Sequence, residues 1–239
     1  MTVAAWSANI YSPQHDSRML MDACRTSVRI EGADVADLCT GSGVVAAECA
    51  RLGARAVVAV DSSPTAVCAA EDTCRAASCP VDVRCADFAD LIGDDTFDIV
   101  TCNPPYVPTP PLNTEHFTEC SGPRHAWAAG PDGRAILDRV CAGASALLRP
   151  GGTLLLVQSA LSNVPATLLA LRSTGLQAEV TASRTIPFGP VLTARAEWLE
   201  RSGRIDRGSR VEQIVVVRAD KPRPISSSVP SPGRGGRER

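Results

Sequence analysis

The chain has 239 residues, 44% hydrophobic and 21% charged, with a formal net charge of -2. This fits one large soluble domain with a sizeable core and excludes a strong whole-chain field for nucleic acid. No run approaches the roughly 18 apolar residues of a membrane span, and the ten cysteines form no C-x-x-C pair and sit at no ligand spacing with histidine, so no membrane segment, metal site or disulfide framework is expected.

In chain order, the first predicted helix is "DSRMLMDACRTSV", capped by Asp16 or Ser17, with Met19, Leu20, Ala23 and Cys24 on one face. A strand from Ala33 to Leu38 runs into the glycine turn of "DLCTGSG", and "VVAAECARLG" follows as a helix closed by Gly53. "RAVVAVD" is a strand ending at Asp61, and Pro64 opens the next helix. "VDVRCAD" is a strand ending at Asp87, and "TFDIVTCN" another ending at Asn103.

Past a proline-rich loop, "PDGRAILDRVCAGASALLRPGG" reads as a helix stopped by Pro150-Gly151-Gly152, then "TLLLVQS" as a strand and "NVPATLLALRSTG" as a helix. "LQAEVTASRTI" and "VEQIVVVRA" form a closing strand pair around the short helix "TARAEWLERSGR". Five strands alternating with helices, then a pair, predict an α/β doubly wound, Rossmann-like sheet of seven mainly parallel strands with an antiparallel C-terminal pair. The expected domain is 1–218, with 1–32 as a helical lead-in. Residues 219–239, rich in Pro, Ser, Gly and Arg, are expected to be a disordered basic tail. From Arg218 on, six basic residues face two acidic ones, so the body carries about -6. Most cysteines are expected to be small buried hydrophobes in a reducing cytoplasm, where the protein is expected to act.

Ligands of such sheets bind outside the strand carboxyl ends. The candidate strands arrive there with Asp37, Asp61, Asp87 and Asn103. Gly41 and Gly43 let a ligand approach the backbone, and Asp61 stands about 20 residues on, where a ribose hydroxyl would be met. That much fits NAD as well as S-adenosylmethionine. Asp87-Phe88, beside an adenine amino group, and "NPPY" after the fourth strand favour the second.

These residues resemble the class I methyltransferases, and more narrowly the HemK-like glutamine N5-methyltransferases of peptide-chain release factors. "IYSPQHDS", "NPPYVPTPP", "AWAAGPDGRAILDRV" and "LLRPGGTLLLV" resemble the short branch without an N-terminal helical domain, which includes the eukaryotic release-factor enzyme. The resemblance covers roughly residues 10–184. It implies S-adenosyl-L-methionine contacts at Ser17, Asp37, Cys39, Asp61, Asp87, Phe88 and Asn103, to which the glycine turn adds Gly41 and Gly43. It also implies a protein substrate such as a translation release factor, and a small activating partner protein. Two departures stand out: Cys39 occupies a place where the family usually has glycine, and the segment between "SRTI" and "VEQIVVV" is longer than in the eukaryotic relatives.

The chemistry asks little of a base. A glutamine amide nitrogen is a poor nucleophile, and two acceptors aimed at its N–H bonds orient its lone pair and stabilise the charge that develops. Asn103 would accept through its side-chain oxygen and Pro104 through its carbonyl, held rigid by the Pro104 and Pro105 rings, while Tyr106 stacks on the amide. His116 and His125 read as loop residues, and Trp127 with "AWAAGPDGR" as capping and packing for the next helix. Two alternatives stay open: an adenine-N6 methyltransferase of RNA or DNA, disfavoured by the acidic body, and a non-catalytic binding subunit.

Overall fold

The computed structural model describes residues 14–93, 96–110 and 124–224. Seven strands, β1 (Asp34–Leu38), β2 (Ala56–Asp61), β3 (Asp82–Cys85), β4 (Phe97–Cys102), β5 (Leu148–Ser159), β6 (Gln177–Pro187) and β7 (Val211–Asp220), form one sheet in the order β3-β2-β1-β4-β5-β7-β6. The first five are parallel, and β7 runs antiparallel between β5 and β6. The predicted doubly wound sheet with its antiparallel pair is therefore the observed one.

Among the described residues six α-helices cover the sheet: α1 (His15–Thr26), α2 (Val44–Arg51), α3 (Pro64–Ala76), α4 (Ala135–Leu147), α5 (Val164–Ser173) and α6 (Pro190–Arg201). From β1 the chain steps one way through α2 and α3; from β4 it steps the other way through α4. Right-handed crossovers in opposite directions put helices on opposite faces. Accordingly α1 and α3 both pack on α2, while α4 packs on α5. The central strands are covered on both faces, and Val35, Ala36, Leu38, Val100, Leu154, Leu155 and Leu156 are fully buried. Such strands read as continuous apolar runs, as parallel sheets require. The strand order reverses between β1 and β4, which opens a crevice at their carboxyl ends.

Several boundaries differ from expectation. Asp16 and Ser17 do not cap α1. Gln14 takes that position without a side-chain bond, and both residues lie buried in the first turn. β3 stops at Cys85, so Asp87 is not a strand residue but the N-cap of a short 3-10 turn, Phe88–Leu91, closed by a reciprocal bond from the Asp87 N–H to Asp90. The predicted helix ending at Pro150 ends instead at Leu147. Arg149–Gly152 belong to an irregular start of β5, where pairing with β4 jumps from Phe97↔Leu148 to Ile99↔Thr153.

β7 continues through Ala219 and Asp220 into the expected tail, and the Lys221 ammonium donates to the carbonyls of Ser145 (2.6 Å) and Leu148 (2.8 Å) at the end of α4. A cation there satisfies orphan carbonyls and the helix dipole. The rest of the tail, residues 225–239, lies outside the described residues, as do His116 and most of the loop after Pro110.

Candidate active site

A crevice of about 340 Å³ opens at the switch point, lined on one side by Asp37, Cys39, Gly41, Asp61 and Ser63 and on the other by Ser17, Asp87, Phe88, Asn103 and Arg139. The glycine turn builds its floor. Cys39, Gly41 and Gly43 all take positive φ, +54°, +54° and +76°. At Gly43 a Cβ would lie 2.8 Å from the Ala70 Cα, so α2 and α3 can touch only because the residue is glycine. Cys39 adopts the same left-handed region with a side chain, at a steric cost of about 1–2 kcal/mol. That cost explains why glycine would suit the position, and Cys39 itself lines the crevice.

Asp37 is 2% exposed, and its carboxylate accepts from the hydroxyls of Thr40 (2.6 Å) and Thr101 (2.7 Å). Burial pushes its pKa up to about 6 against the pull of those donors. Asp61 holds the turn from the next strand, accepting from the Gly41 N–H (2.9 Å) and the Ser63 N–H (2.9 Å). Asp87 accepts from the Ala89 N–H (2.9 Å) and from Arg139 (2.8 and 2.9 Å), which together hold its pKa below the usual carboxylate range. The Arg139 guanidinium sits 5.0 Å from the centre of the Phe88 ring. Nothing in the sequence marked Arg139, because it is one arginine among many on the exposed side of a helix.

"NPPY" leaves β4 at Asn103 and turns past a slot of about 40 Å³ between Asp16, Asn103, Pro104, Tyr106 and Trp127. The slot shares Asn103 and Pro105 with the larger crevice, so the two adjoin. Two residues of α1 hold the motif. Asn103 donates through Nδ2 to the Ser17 hydroxyl (3.2 Å), and Tyr106 donates its hydroxyl to Asp16 (2.8 Å). The Asn103 side-chain oxygen is thereby left as an acceptor. Asp16 also accepts from the Ser17 N–H (2.6 Å), which closes a polar chain from Asn103 to Tyr106. Sequence reasoning assigned Asp16 to helix capping. Its neighbour Ser17, singled out by resemblance, was the available signal.

The "AWAAGPDGR" segment leads into α4, with Arg134 at the N-cap position and the Ala129 carbonyl accepting from the Ala135 N–H (3.0 Å), and it also clamps the motif from the other side. Val107 N–H donates to Trp127 (2.9 Å), Ala129 N–H to Val107 (3.1 Å) and Thr109 N–H to Gly130 (2.8 Å). The Ser162 hydroxyl donates to the Tyr106 carbonyl (2.5 Å), and Gly133 lies so close to both that no side chain would fit. Buried Arg134 ties the rear of this clamp to the carbonyls of Ser162 (2.6 Å) and Asn163 (3.0 Å). Trp127 is 6% exposed, with the Arg195 guanidinium 4.1 Å from its ring centre. Among the described residues no cluster of His, Cys, Asp or Glu could hold a metal ion, and no helix is long and apolar enough to cross a membrane.

This strand order, with a glycine-turn crevice at its switch point, defines the class I methyltransferase fold. The Mtq2–Trm112 complex of E. cuniculi, responsible for methylation of the eRF1 translation termination factor, has the same fold. It superposes with a TM-score of 0.61 and 23% identity over 89% of this chain and 98% of that one. Residues 8–116 match the family described as "Methyltransferase small domain". A Methanocaldococcus jannaschii chain described as a protein N5-glutamine methyltransferase is 30% identical over 188 residues, 78% of this chain and 91% of that relative. The chain thus belongs to the HemK-like methyltransferase family. The release factor glutamine methyltransferase of Mycolicibacterium smegmatis is 34% identical over 152 residues, 60% of this chain but 52% of that protein, so the chain spans about half the length of that bacterial relative.

Proposed function

We propose that this chain is an S-adenosylmethionine-dependent methyltransferase that methylates a glutamine side-chain amide of a protein, a peptide-chain release factor being the expected substrate. The carrying observation is the Asn103 amide: its N–H₂ end is spent on Ser17, which leaves its oxygen to accept, and Asn103 lines the slot together with Pro104, Pro105 and Tyr106.

The crevice residues fit the cofactor. Left-handed backbone at Cys39 and Gly41 leaves room for close approach, Asp37 suits a cationic amino group, Asp61 a ribose diol, and Asp87 with Phe88 an adenine edge and face. When bound there, the cofactor supplies an electrophilic methyl group at a sulfonium. The protein's own part is positioning. Asn103 Oδ1 and the Pro104 carbonyl accept the two N–H bonds of the amide, which turns its lone pair towards the crevice. The same acceptors stabilise the positive charge that develops on nitrogen. Tyr106, held by Asp16, walls the slot. The product proton leaves to water, so no general base is assigned.

A small activating partner protein belongs to the proposal; its support is that the E. cuniculi relative was solved with Trm112. A release-factor substrate would make the cytoplasm the site of action. The test is transfer from methyl-labelled cofactor into cell protein and nucleic acid, separated afterwards. Label on a glutamine of protein is expected, and label confined to RNA or DNA overturns the proposal.

A further inference from the structure

The cysteines among the described residues are free thiols. Two pairs share a thiol hydrogen bond: Cys24 of α1 with Cys49 of α2, and Cys39 with Cys102 where β1 and β4 end. The pairs differ in access. Cys24 is 1% exposed and Cys49 0%, and neither lines the crevice. Cys102 is as deeply buried, but its partner Cys39 is half-buried and forms part of the crevice wall. Among the described residues Cys39 is the one cysteine that a small solute in the crevice meets.

The backbone makes this pair. Leu38 is the register partner of Cys102 in the parallel pairing of β1 with β4, so Cys39 stands one residue past it. An offset of one residue between neighbouring strands falls within the Cα separation of roughly 4.4–6.8 Å that a disulfide spans. In a continuing strand, successive side chains point to opposite faces. The left-handed φ of +54° at Cys39 ends that alternation, and the thiol packs against the core cluster that contains Cys102. Burial first, and then the hydrogen bond with Cys39, push the Cys102 thiol well above its ordinary range. Taken singly, Cys102 is an inert, core-filling group. Cys39 differs in keeping a side chain on left-handed backbone, on a cavity wall and against a second sulfur.

We propose that Cys39 is an oxidation site: a peroxide that enters the cofactor crevice oxidises it, Cys102 closes it into a disulfide, and the bonded form holds S-adenosylmethionine poorly. The effect on the cofactor rests on the cofactor reading above; the disulfide does not. The Cys39 sulfur, as thiolate, attacks one peroxide oxygen. The O–O bond breaks, and a sulfenic acid and water result. The Cys102 sulfur then attacks the sulfenyl sulfur. An S–S bond forms, the S–O bond breaks, and the departing hydroxide leaves as water with the Cys102 proton. Two thiols thus lose two electrons to one peroxide. Contact between the sulfurs is what brings a buried thiol into the reaction.

The bond ties the glycine turn to the residue before Asn103. It draws Cys39 towards β4 and away from β2, where Asp61 holds the Gly41 N–H. The floor of the crevice is displaced as a result. A bound cofactor covers Cys39, so the occupied enzyme is shielded and the idle enzyme is the form that oxidises.

The test uses the full reduced chain, treated with hydrogen peroxide, alkylated, digested and mapped by mass spectrometry. A disulfide joining the peptides of Cys39 and Cys102 is expected, and dithiothreitol should reverse it. Saturation with S-adenosylhomocysteine beforehand should slow its formation at least tenfold. Calorimetry of the oxidised chain should show S-adenosylmethionine affinity at least tenfold below that of the reduced chain, restored by reductant. Cys102→Ala should bind the cofactor like the native chain, and after peroxide its Cys39 should be trapped by dimedone as the sulfenic acid. Should Cys102→Ala not fold, the mapping and calorimetry of the native chain decide alone. Cys39 and Cys102 left unlinked by peroxide overturn the proposal, as does an oxidised chain that binds the cofactor as tightly as the reduced one. Linkage at one rate with and without bound S-adenosylhomocysteine overturns entry through the crevice. A linked pair in a chain that binds no cofactor when reduced overturns the cofactor reading and leaves the oxidation site standing.

Discussion

The two halves of the site are built differently. On the cofactor side, Asp37, Asp61 and Asp87 are each held by neighbours within one strand-end neighbourhood: Thr40 and Thr101, Gly41 and Ser63, Ala89 and Arg139. On the acceptor side, Asn103 and Tyr106, with Val107 and Thr109 behind them, are braced by groups far away in the chain: Ser17 and Asp16 in α1, the backbone of 127–130, and Ser162 after β5. The first half is set by turns at the ends of neighbouring parallel strands, joined by two remote partners, Thr101 of β4, 64 positions from Asp37, and Arg139 of α4, 52 positions from Asp87. The second exists only when distant elements have docked. Catalysis by orientation needs the second kind of construction, because a loop held at one end alone would leave the amide loosely aimed.

Asn103→Ala should divide the halves most sharply: kcat falls by about a thousandfold, the range for loss of one developing-charge acceptor, while the cofactor dissociation constant changes by about threefold or less. Calorimetry alongside single-turnover rates checks this, and a parallel loss of both would mean that Asn103 serves only the cofactor. Asp61→Ala should do the reverse. It strips the ribose acceptor and frees the Gly41 and Ser63 amides, weakening the cofactor by about a hundredfold, with kcat at saturation largely kept.

The pH dependence should also belong to the cofactor half. Asp37, raised to about 6 by burial, becomes protonated as pH falls. Affinity for S-adenosylmethionine should therefore fall by about tenfold per unit below pH 6, and Asp37→Asn should flatten the profile. For stability the sign is opposite. A carboxyl whose folded pKa is raised contributes most below its unfolded value of 3.8, and that contribution is lost as pH rises through 6. Urea titrations of the native chain against Asp37→Asn, without cofactor, would read it.

Smaller effects sharpen the acceptor half. Asp16→Ala releases the Tyr106 hydroxyl and should lower kcat by about tenfold with cofactor affinity unchanged, and combining it with Tyr106→Phe should add little more. Cys39→Gly relieves a left-handed residue and should raise stability by about 1 kcal/mol or less, since the gain in the fold is partly offset by a freer unfolded chain. A thermal melt of each protein decides its sign.

Much of the architecture was legible because the signals were local. Hydrophobic runs of strand length, the proline opening α3, and the glycine after α2 marked the alternation and with it the doubly wound sheet. The acidic series and "NPPY" were legible for the same reason: strand-end residues in such a sheet converge on one rim wherever they lie in the chain. Local signals failed where a residue's partner was remote. Asp16 looked like a cap because a short polar side chain before an apolar helix usually is one, yet its bond is to Tyr106, 90 positions away. "AWAAGPDGR" is the entry to α4 that it looked like, and only the docked backbone of Val107 and Thr109 made it a clamp as well.

By itself the sequence determined the class of sheet, the rim and the chemical character of the site, because periodicity and turn chemistry act over a few residues. The tertiary structure alone decided which hydroxyl meets Asn103, what holds Tyr106, and that Cys39 meets Cys102. Those facts depend on packing between elements whose separation in the chain carries no trace of their contact.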